Sequence, residues 1–255
     1  MTKEERHQLI IDTLIKCESA QVSELSARLE VSAVTIRKDL TELERANRLY
    51  RSHGKAILIN PYINNRSVNE KEKLSPDEKN AIGRVASEMI TKDDSIIIAS
   101  GTTMHALARN IKPIHKLTVV SASLQVSEIL ASNEAVEIVQ LGGVLRHSSN
   151  SVVGKYAEQM LSNFCCSKLF LGVDGIDLEF GLTTTDVREA ELNREMMRTA
   201  QKIVVLADSS KFRRRGFSKI ANIEDVDIII TDSGIPEAIA RRIEELGVEL
   251  IVVEV

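Results

Sequence analysis

The sequence predicts an α/β protein in two unequal parts: a small helical head with a β-hairpin, then a larger, doubly wound, mostly parallel sheet. Three observations carry this. Apolar residues in the first sixty positions recur at helical spacing, and from about residue 95 short β-branched runs alternate with helical stretches. Between the two lies a polar stretch opened by a proline. At 255 residues, with 43% hydrophobic and 27% charged, the chain has the length and balance for one large globular domain or two unequal ones. No apolar run approaches the roughly 20 residues of a membrane helix, and the charged opening Met1–Gln8 is unlike a signal peptide. A cytoplasmic protein with no membrane partner is therefore expected. Cys17, Cys165 and Cys166 are odd in number and lack metal-ligand spacing, so neither a disulfide framework nor a metal site is expected.

Element by element, Ile10, Ile11, Leu14 and Ile15 give one apolar stripe, Val22, Leu25 and Leu29 a second, and Ile36, Leu40 and Leu43 a third. Three short helices follow. Ser23 and Ser32 stand where the second and third should start, and Ser32 can cap the third by accepting a backbone N–H. Only two or three residues around Glu30–Ser32 separate those helices, as a helix-turn-helix requires. Tyr50 to Ile59 predicts two short strands about a turn at Ser52–Lys55, where Gly54 suits the tight bend. Three helices and a hairpin make a winged helix over 1–60. Residues 61–76 are expected as a linker. A helix over Asp77–Ile90 opens the second part, 77–255. Seven strands are predicted beyond it: Ser95–Ala99, Leu117–Val120, Val136–Leu141, Lys168–Val173, Ile203–Ala207, Asp227–Thr231 and Leu250–Val253. Their continuously apolar character means both sheet faces are covered, the mark of a parallel, doubly wound sheet.

A net charge of −4 argues against an acidic partner, but the average conceals a segregation. Residues 1–60 sum to +1 and the remainder to −5, and Arg45–Asn69 holds five basic residues and no acid. If Ile36, Leu40 and Leu43 face the core, then Val34, Lys38, Thr41 and Arg45 point outward with Thr35 and Arg37 on the flanks. Such a face suits the major groove of double-stranded DNA. Arg37 and Lys38 can reach guanine acceptors or phosphates, Thr35 can donate to either, and Val34 can meet a thymine methyl. Arg51, His53 and Lys55 on the hairpin would hold phosphates, which positions a protein without reading sequence. The plain alternative is a polar face that meets only water or another protein.

In the second part, Ser100-Gly101-Thr102-Thr103 follows a strand and opens a helix. Backbone N–H groups and the positive helix end there favour a phosphate. Gly142 and Gly143 after a later strand would let a ligand approach the backbone, and Arg146 can pair with phosphate or carboxylate. Asp174, Asp177, the threonine-rich turn before Glu189, and Asp208 with Lys211 add acceptors and a cation at strand ends, where open sheets bind ligands. As plain alternatives, the Ser100–Thr103 run is an ordinary strand-to-helix turn, Gly142–Arg146 a β-turn with a surface arginine, and the aspartates helix caps or turn residues.

Arg6, Ile10, Leu14, then Ser32, Thr35, Ile36, Arg37, Lys38, Asp39 and Leu40 match the amino-terminal signature of the DeoR family of bacterial transcriptional regulators, which this chain resembles. Ser100–Thr103, Gly142–Gly143 with Arg146, the 170–177 run and Asp208–Phe212 are similar to the sensor domain of that family, whose fold resembles ribose-5-phosphate isomerase and glucosamine-6-phosphate deaminase. The resemblance implies a repressor that reads operator DNA with Thr35, Arg37 and Lys38, uses no cofactor, and changes its operator affinity with a phosphorylated sugar. It also implies a homo-oligomer, a dimer or tetramer. Asp39 leans toward the core and is expected to orient a basic neighbour. The chain departs from the family at Lys55, where glycine is more frequent, at Ala122, where an asparagine would offer a hydroxyl contact, and at Cys166-Ser167, where an acid is frequent. Gly172 to Met197 is most similar to regulators of N-acetylgalactosamine catabolism, which implies an amino-sugar or ketohexose phosphate. The rival is an enzyme, a sugar-phosphate isomerase or deaminase using Asp174, Asp177 and Glu189 for acid–base work. A structural or partner-binding protein is the third reading.

Overall fold

A computed structural model describes residues 1–17, 19–46, 48–52, 55–58, 67–112 and 116–255, without the side chains of 15, 16, 50, 52, 57 and 58. His53, the turn at Gly54, the first part of the expected linker and the packing of Ile15 lie outside the described residues. The chain forms two compact units, Met1–Asn64 and Asn65–Val255.

The first unit begins with α1 (Lys3–Cys17), whose Glu4 and Glu5 complement the positive helix end. Gln21 precedes α2 (Val22–Leu29), and its N–H donates to the Glu24 carboxylate at 2.7 Å. The helix thus starts before Ser23, which lies in its first turn. Glu30, at φ 53°, ends it in a left-handed cap. Ser32 caps α3 (Ala33–Arg45) as expected, accepting from Thr35 N–H at 3.1 Å. Strands β2 (Leu49–Ser52) and β3 (Lys55–Leu58) form the hairpin, and β1 (Ser19–Gln21), which the sequence did not announce, adds to β3 with Ala20 opposite Ala56. Ile10, Leu14, Leu25, Ile36, Leu40 and Leu49 are fully buried, so all three predicted stripes meet in one core. Asp39 is buried beside it. Arg6 Nη2 donates to its Oδ1 at 2.8 Å and His7 Nε2 lies 3.3 Å away. Burial alone would raise this carboxyl's pKa, but Arg6 and His7 outweigh it and hold it below the usual carboxylate value.

The second unit opens with α4 (Val68–Glu72) and α5 (Pro76–Glu88). Residues 67–76, expected as linker, are therefore ordered structure of this unit: Ser67 and Glu70 close a capping box, and Pro76 occupies the first turn of α5. All seven predicted strands form, as β4 (Ser95–Ile98), β5 (Leu117–Ser121), β6 (Val136–Gln140), β9 (Cys166–Gly172), β12 (Ala200–Leu206), β14 (Ile228–Asp232) and β15 (Glu249–Val253). They make one sheet in the order β15-β14-β12-β9-β4-β5-β6, with every pairing parallel. Alternate residues serve opposite faces. Ile96 and Ile98 pack with α5, with α6 (Thr102–Asn110) and with α7 (Leu124–Leu130), while Ile97 and Ala99 pack with α8 (Lys155–Leu161), α9 (Val187–Thr199) and α10 (Glu237–Glu245). Both faces are covered, as the unbroken apolar strands require. On one of them α5 meets α6 so closely at Gly83 that a Cβ would stand 2.6 Å from Leu107 N.

Two small antiparallel sheets decorate this framework. β7 (Val144–Arg146) pairs with β8 (Ser151–Val153), and β10 (Gly175–Asp177), β11 (Gly181–Thr184) and β13 (Ser218–Ala221) form the other. From β4 the chain winds through β5 to β6 at one edge, then returns to β9 on the other side of β4 and winds outward to β15. The order reverses between β4 and β9. Loops leaving the carboxyl ends of those two strands diverge and leave a crevice there.

Candidate nucleic-acid interface and ligand cleft

On α3, Val34 is 73% exposed, and Arg37, Lys38 and Arg45 are exposed, their side chains with no hydrogen bond or ion pair among the described residues. Ser32 and Thr35 share a hydroxyl contact of 2.9 Å at the helix start, and Thr41 is turned back onto Arg37 O at 2.8 Å. Lys55 on β3 is likewise exposed and unpaired among the described residues. Arg51 differs from expectation. Its Nε donates to Glu44 at 2.8 Å and its N–H to the same carboxylate at 3.0 Å, so it ties β2 to α3 instead of standing as a free cation. The described face thus carries four unpaired cations, Arg37, Lys38, Arg45 and Lys55, with an apolar group at Val34.

In the second unit, a cleft with about 540 Å³ of empty space, part of it open to solvent, sits at the β4/β9 crevice. Ser100, Gly101, Thr102, Thr103, Asp174, Glu189 and Lys211 line it, joined by Val68, Lys71, Ser148, Ser149 and Thr184, among others. Gly101 adopts φ 127°, a conformation that favours glycine, at the turn from β4 into α6, and Thr102 and Thr103 of the helix's first turn line the cleft. Glu189 accepts from Ser100 Oγ at 2.9 Å and Thr184 Oγ1 at 3.0 Å, and Arg146 Nη1 lies 3.5 Å from it. Lys71 Nζ donates to Asp174 Oδ1 at 2.6 Å. Burial would raise the Asp174 pKa, but the charges of Lys71 and Lys211 reverse the effect and hold it well below the ordinary value. Lys211 lies 3.9 Å from Asp208, beyond hydrogen-bond range, and burial lowers its pKa. An ammonium with no hydrogen-bond acceptor among the described residues, lining a cleft together with hydroxyls and the first turn of a helix, is suited to an anion.

Four expected residues take other places. Arg146 is buried behind the cleft, bracing Glu189 and, at 3.2 Å, Asp186. Gly142 and Gly143 do not line the cleft: a Cβ on Gly143 would stand 2.8 Å from Val153 O, so this glycine serves the β7–β8 ribbon. Asp177 caps a turn through Glu179 and Phe180 N–H and pairs with Arg215 at 2.8 Å, a structural role. Ala122 is buried and is not among the residues that line the cleft. Ser167 bonds Asp94, which also pairs with Lys168. Lys71, Ser148 and Ser149 were missed: Lys71 sits in a stretch that looks like linker, and neither serine belongs to a recurring pattern. Among the described residues, no group of three or more His, Cys, Asp or Glu is placed to hold a metal.

A winged helix with an exposed cationic face, followed in the chain by a doubly wound sheet with an anion-suited crevice, is the architecture of a DNA-binding transcriptional regulator. The particular family follows from comparison with known proteins. Residues 6–62 match the DeoR-like helix-turn-helix domain and residues 74–233 the DeoR C-terminal sensor domain, and the chain belongs to the DeoR family. A protein of Escherichia coli O157:H7 provisionally named as an aga operon transcriptional repressor is 39% identical over 98% of this chain and 93% of its own. The HTH-type transcriptional repressor GlcR of Bacillus subtilis is 32% identical over 100% of this chain and 98% of its own. Ribose 5-phosphate isomerase A from Methanocaldococcus jannaschii is 15% identical over 54% of each chain with a TM-score of 0.39. The chain is a regulator and not the isomerase or deaminase of the rival reading.

Proposed function

We propose that this protein is a cytoplasmic repressor of a sugar-catabolism operon, acting as a homo-oligomer whose operator affinity is set by a phosphorylated sugar in the β4/β9 cleft. The observation that carries the reading is Lys211: a part-buried ammonium 3.9 Å from Asp208, with no hydrogen-bond acceptor among the described residues, lining one cleft with Thr102 and Thr103 of the first turn of α6, Ser100, Ser148 and Ser149. Phosphate would sit there, and Asp174 and Glu189 would accept from sugar hydroxyls. The relatives' names favour a sugar operon, and the aga repressor among them favours an amino-sugar or ketohexose phosphate. The first unit, residues 1–64, would supply the operator contacts from Ser32, Val34, Thr35, Arg37, Lys38, Thr41, Arg45 and Lys55.

Ligand can change operator affinity only by favouring one protein conformation. In a dimer the sensitive quantity is the separation of two reading helices, because half-sites about 34 Å apart tolerate little misplacement. The test is operator binding by the full chain with N-acetylgalactosamine 6-phosphate, fructose 6-phosphate and ribose 5-phosphate. A shift of operator Kd by one of them at up to millimolar concentration supports the reading, and no shift by any of the three refutes it.

A further inference from the structure

Glu44 is the last acid before the basic stretch that runs from Arg45 to Asn69. It stands in the last turn of α3, where the negative end of the helix dipole disfavours an anion and favours a cation. Helix stability does not explain it. Both of its oxygens serve one residue of β2: Oε1 accepts from Arg51 N–H at 3.0 Å, and Oε2 accepts from Arg51 Nε at 2.8 Å, with Nη2 at 2.6 Å. The strand backbone is held as well as the side chain. Arg51 lies opposite the fully buried Ala56 on β3, so holding it to α3 also sets the position of Lys55, one residue along that strand. Yet the Arg51 and Glu44 side chains are 39% and 34% exposed, and an ion pair in that setting adds little to folding. What the pair changes is charge. Unpaired, Arg51 would join Arg37, Lys38, Arg45 and Lys55 as one more cation for phosphate, and phosphate contacts bind every sequence alike.

We propose that Glu44 is a specificity-determining residue: it keeps Arg51 off the DNA phosphates and, through the same contacts, sets the hairpin against the reading helix. This rests on the reading that α3 and the hairpin face operator DNA. Masking one arginine removes about one phosphate contact from the binding of every duplex, cognate or not. Holding β2 to α3 acts on the cognate duplex alone, because only there must Lys55 meet its phosphate while Arg37 and Lys38 meet bases. Discrimination gains from both. A lone carboxylate at this place would repel phosphate, and pairing with Arg51 cancels that repulsion, so the pair is electrically neutral toward DNA.

The test compares full-length wild type, Glu44→Gln, the double variant Glu44→Gln/Arg51→Gln, and Glu4→Gln, which removes one negative charge from an exposed position on α1. The probes are the duplex that wild type enriches from a randomised pool and a scrambled duplex of the same composition. Anisotropy titrations over a range of salt read affinity and slope, and thermal melts report folding. Glu44→Gln frees Arg51 and is expected to bind the scrambled duplex about threefold or more tightly, with a salt slope steeper by about one. The double variant carries the net charge of wild type. It should return scrambled-duplex affinity and slope to wild-type values while binding the enriched duplex about fivefold or more weakly than wild type. Glu4→Gln should stay within about twofold of wild type on both duplexes. Scrambled-duplex affinity unchanged in Glu44→Gln overturns the masking, and so does an equal gain in Glu4→Gln. A slope flatter by about one in the double variant would show that Arg51 holds a phosphate in wild type. Enriched-duplex binding at wild-type strength in that variant would show that the contacts set no geometry. Either result overturns the proposal, as does unfolding of Glu44→Gln, which would make the pair a folding element. Enrichment of no duplex by wild type is a different result, which removes the DNA-binding reading itself.

Discussion

Glu189 is satisfied by Ser100, Thr184 and Arg146 together, and Arg146 in turn holds Asp186, the residue that caps α9. Removing the arginine leaves two carboxylates with too little compensation in a part-buried setting. Breaking a buried pair costs roughly 3–5 kcal/mol. Arg146→Ala is thus expected to lower unfolding stability by about 3 kcal/mol in denaturant titrations as well as to blunt the sugar response, and Arg146→Lys to recover only part of both. Gly101 poses the opposite case. A Cβ there would meet no atom within 4 Å, yet its φ of 127° is one that side-chain-bearing residues rarely adopt. Gly101→Ala should cost about 1–3 kcal/mol through backbone strain and weaken sugar-phosphate binding while leaving operator affinity intact, measured by melts and by calorimetry. On α3 the signature of base reading is selectivity. Arg37→Ala should weaken binding to cognate duplex by about 1–3 kcal/mol and to random duplex far less, whereas Lys55→Ala should weaken both alike and reduce the salt slope. Equal losses on both duplexes for Arg37→Ala would remove it from the reading set.

At the scale of elements, Lys79 gives α4 a pH signature. Burial pushes its ammonium down to about 8 from an ordinary 10.5. Below pH 8 folded and unfolded chains both hold the proton, and no pH dependence arises from this group. Between pH 8 and 10.5 only the unfolded chain holds it, so stability rises with pH, by about 3 kcal/mol over the whole interval. The neutral amine keeps two N–H donors, enough for the carbonyls of Lys71 and Leu74, to which Lys79 donates. Urea unfolding from pH 7 to 10 should therefore show this rise in wild type, and Lys79→Met should lack it. A wild-type and variant difference that stays constant across that range would show that the proton is not lost. Elements also explain what sequence could reveal. The seven strands were legible because a strand buried on both faces must be apolar throughout, and the three head helices because each buries a single stripe. α4 was not: five residues, Val68–Glu72, complete barely more than one turn and show no period. β1 and β7 have three residues each and owe their existence to a partner strand. Lys71 became a cleft residue only through folding, since its partner is 103 residues away. Conversely, Ser100–Thr103 was readable because the strand, the turn and the helix it starts are contiguous.

For the whole molecule, the first unit has its own buried cluster around Leu14, Ile36 and Leu40, while the second has a cluster on each face of its sheet. Separate cores allow each part to respond to its own ligand, because a ligand stabilises the structure it binds by an amount set by its concentration relative to Kd. Calorimetric melting of the full chain is expected to resolve two transitions. Operator duplex should raise the one belonging to residues 1–64, and sugar phosphate the one belonging to residues 65–255. Leu40→Ala tests the assignment: truncating a fully buried leucine costs about 2–5 kcal/mol, enough to lower or abolish the first transition. The second transition and its rise with sugar phosphate should remain. A single transition that Leu40→Ala lowers as a whole would mean that the units unfold as one cooperative body, in which case effector control would need no transmitting element at all and would work through shared stability.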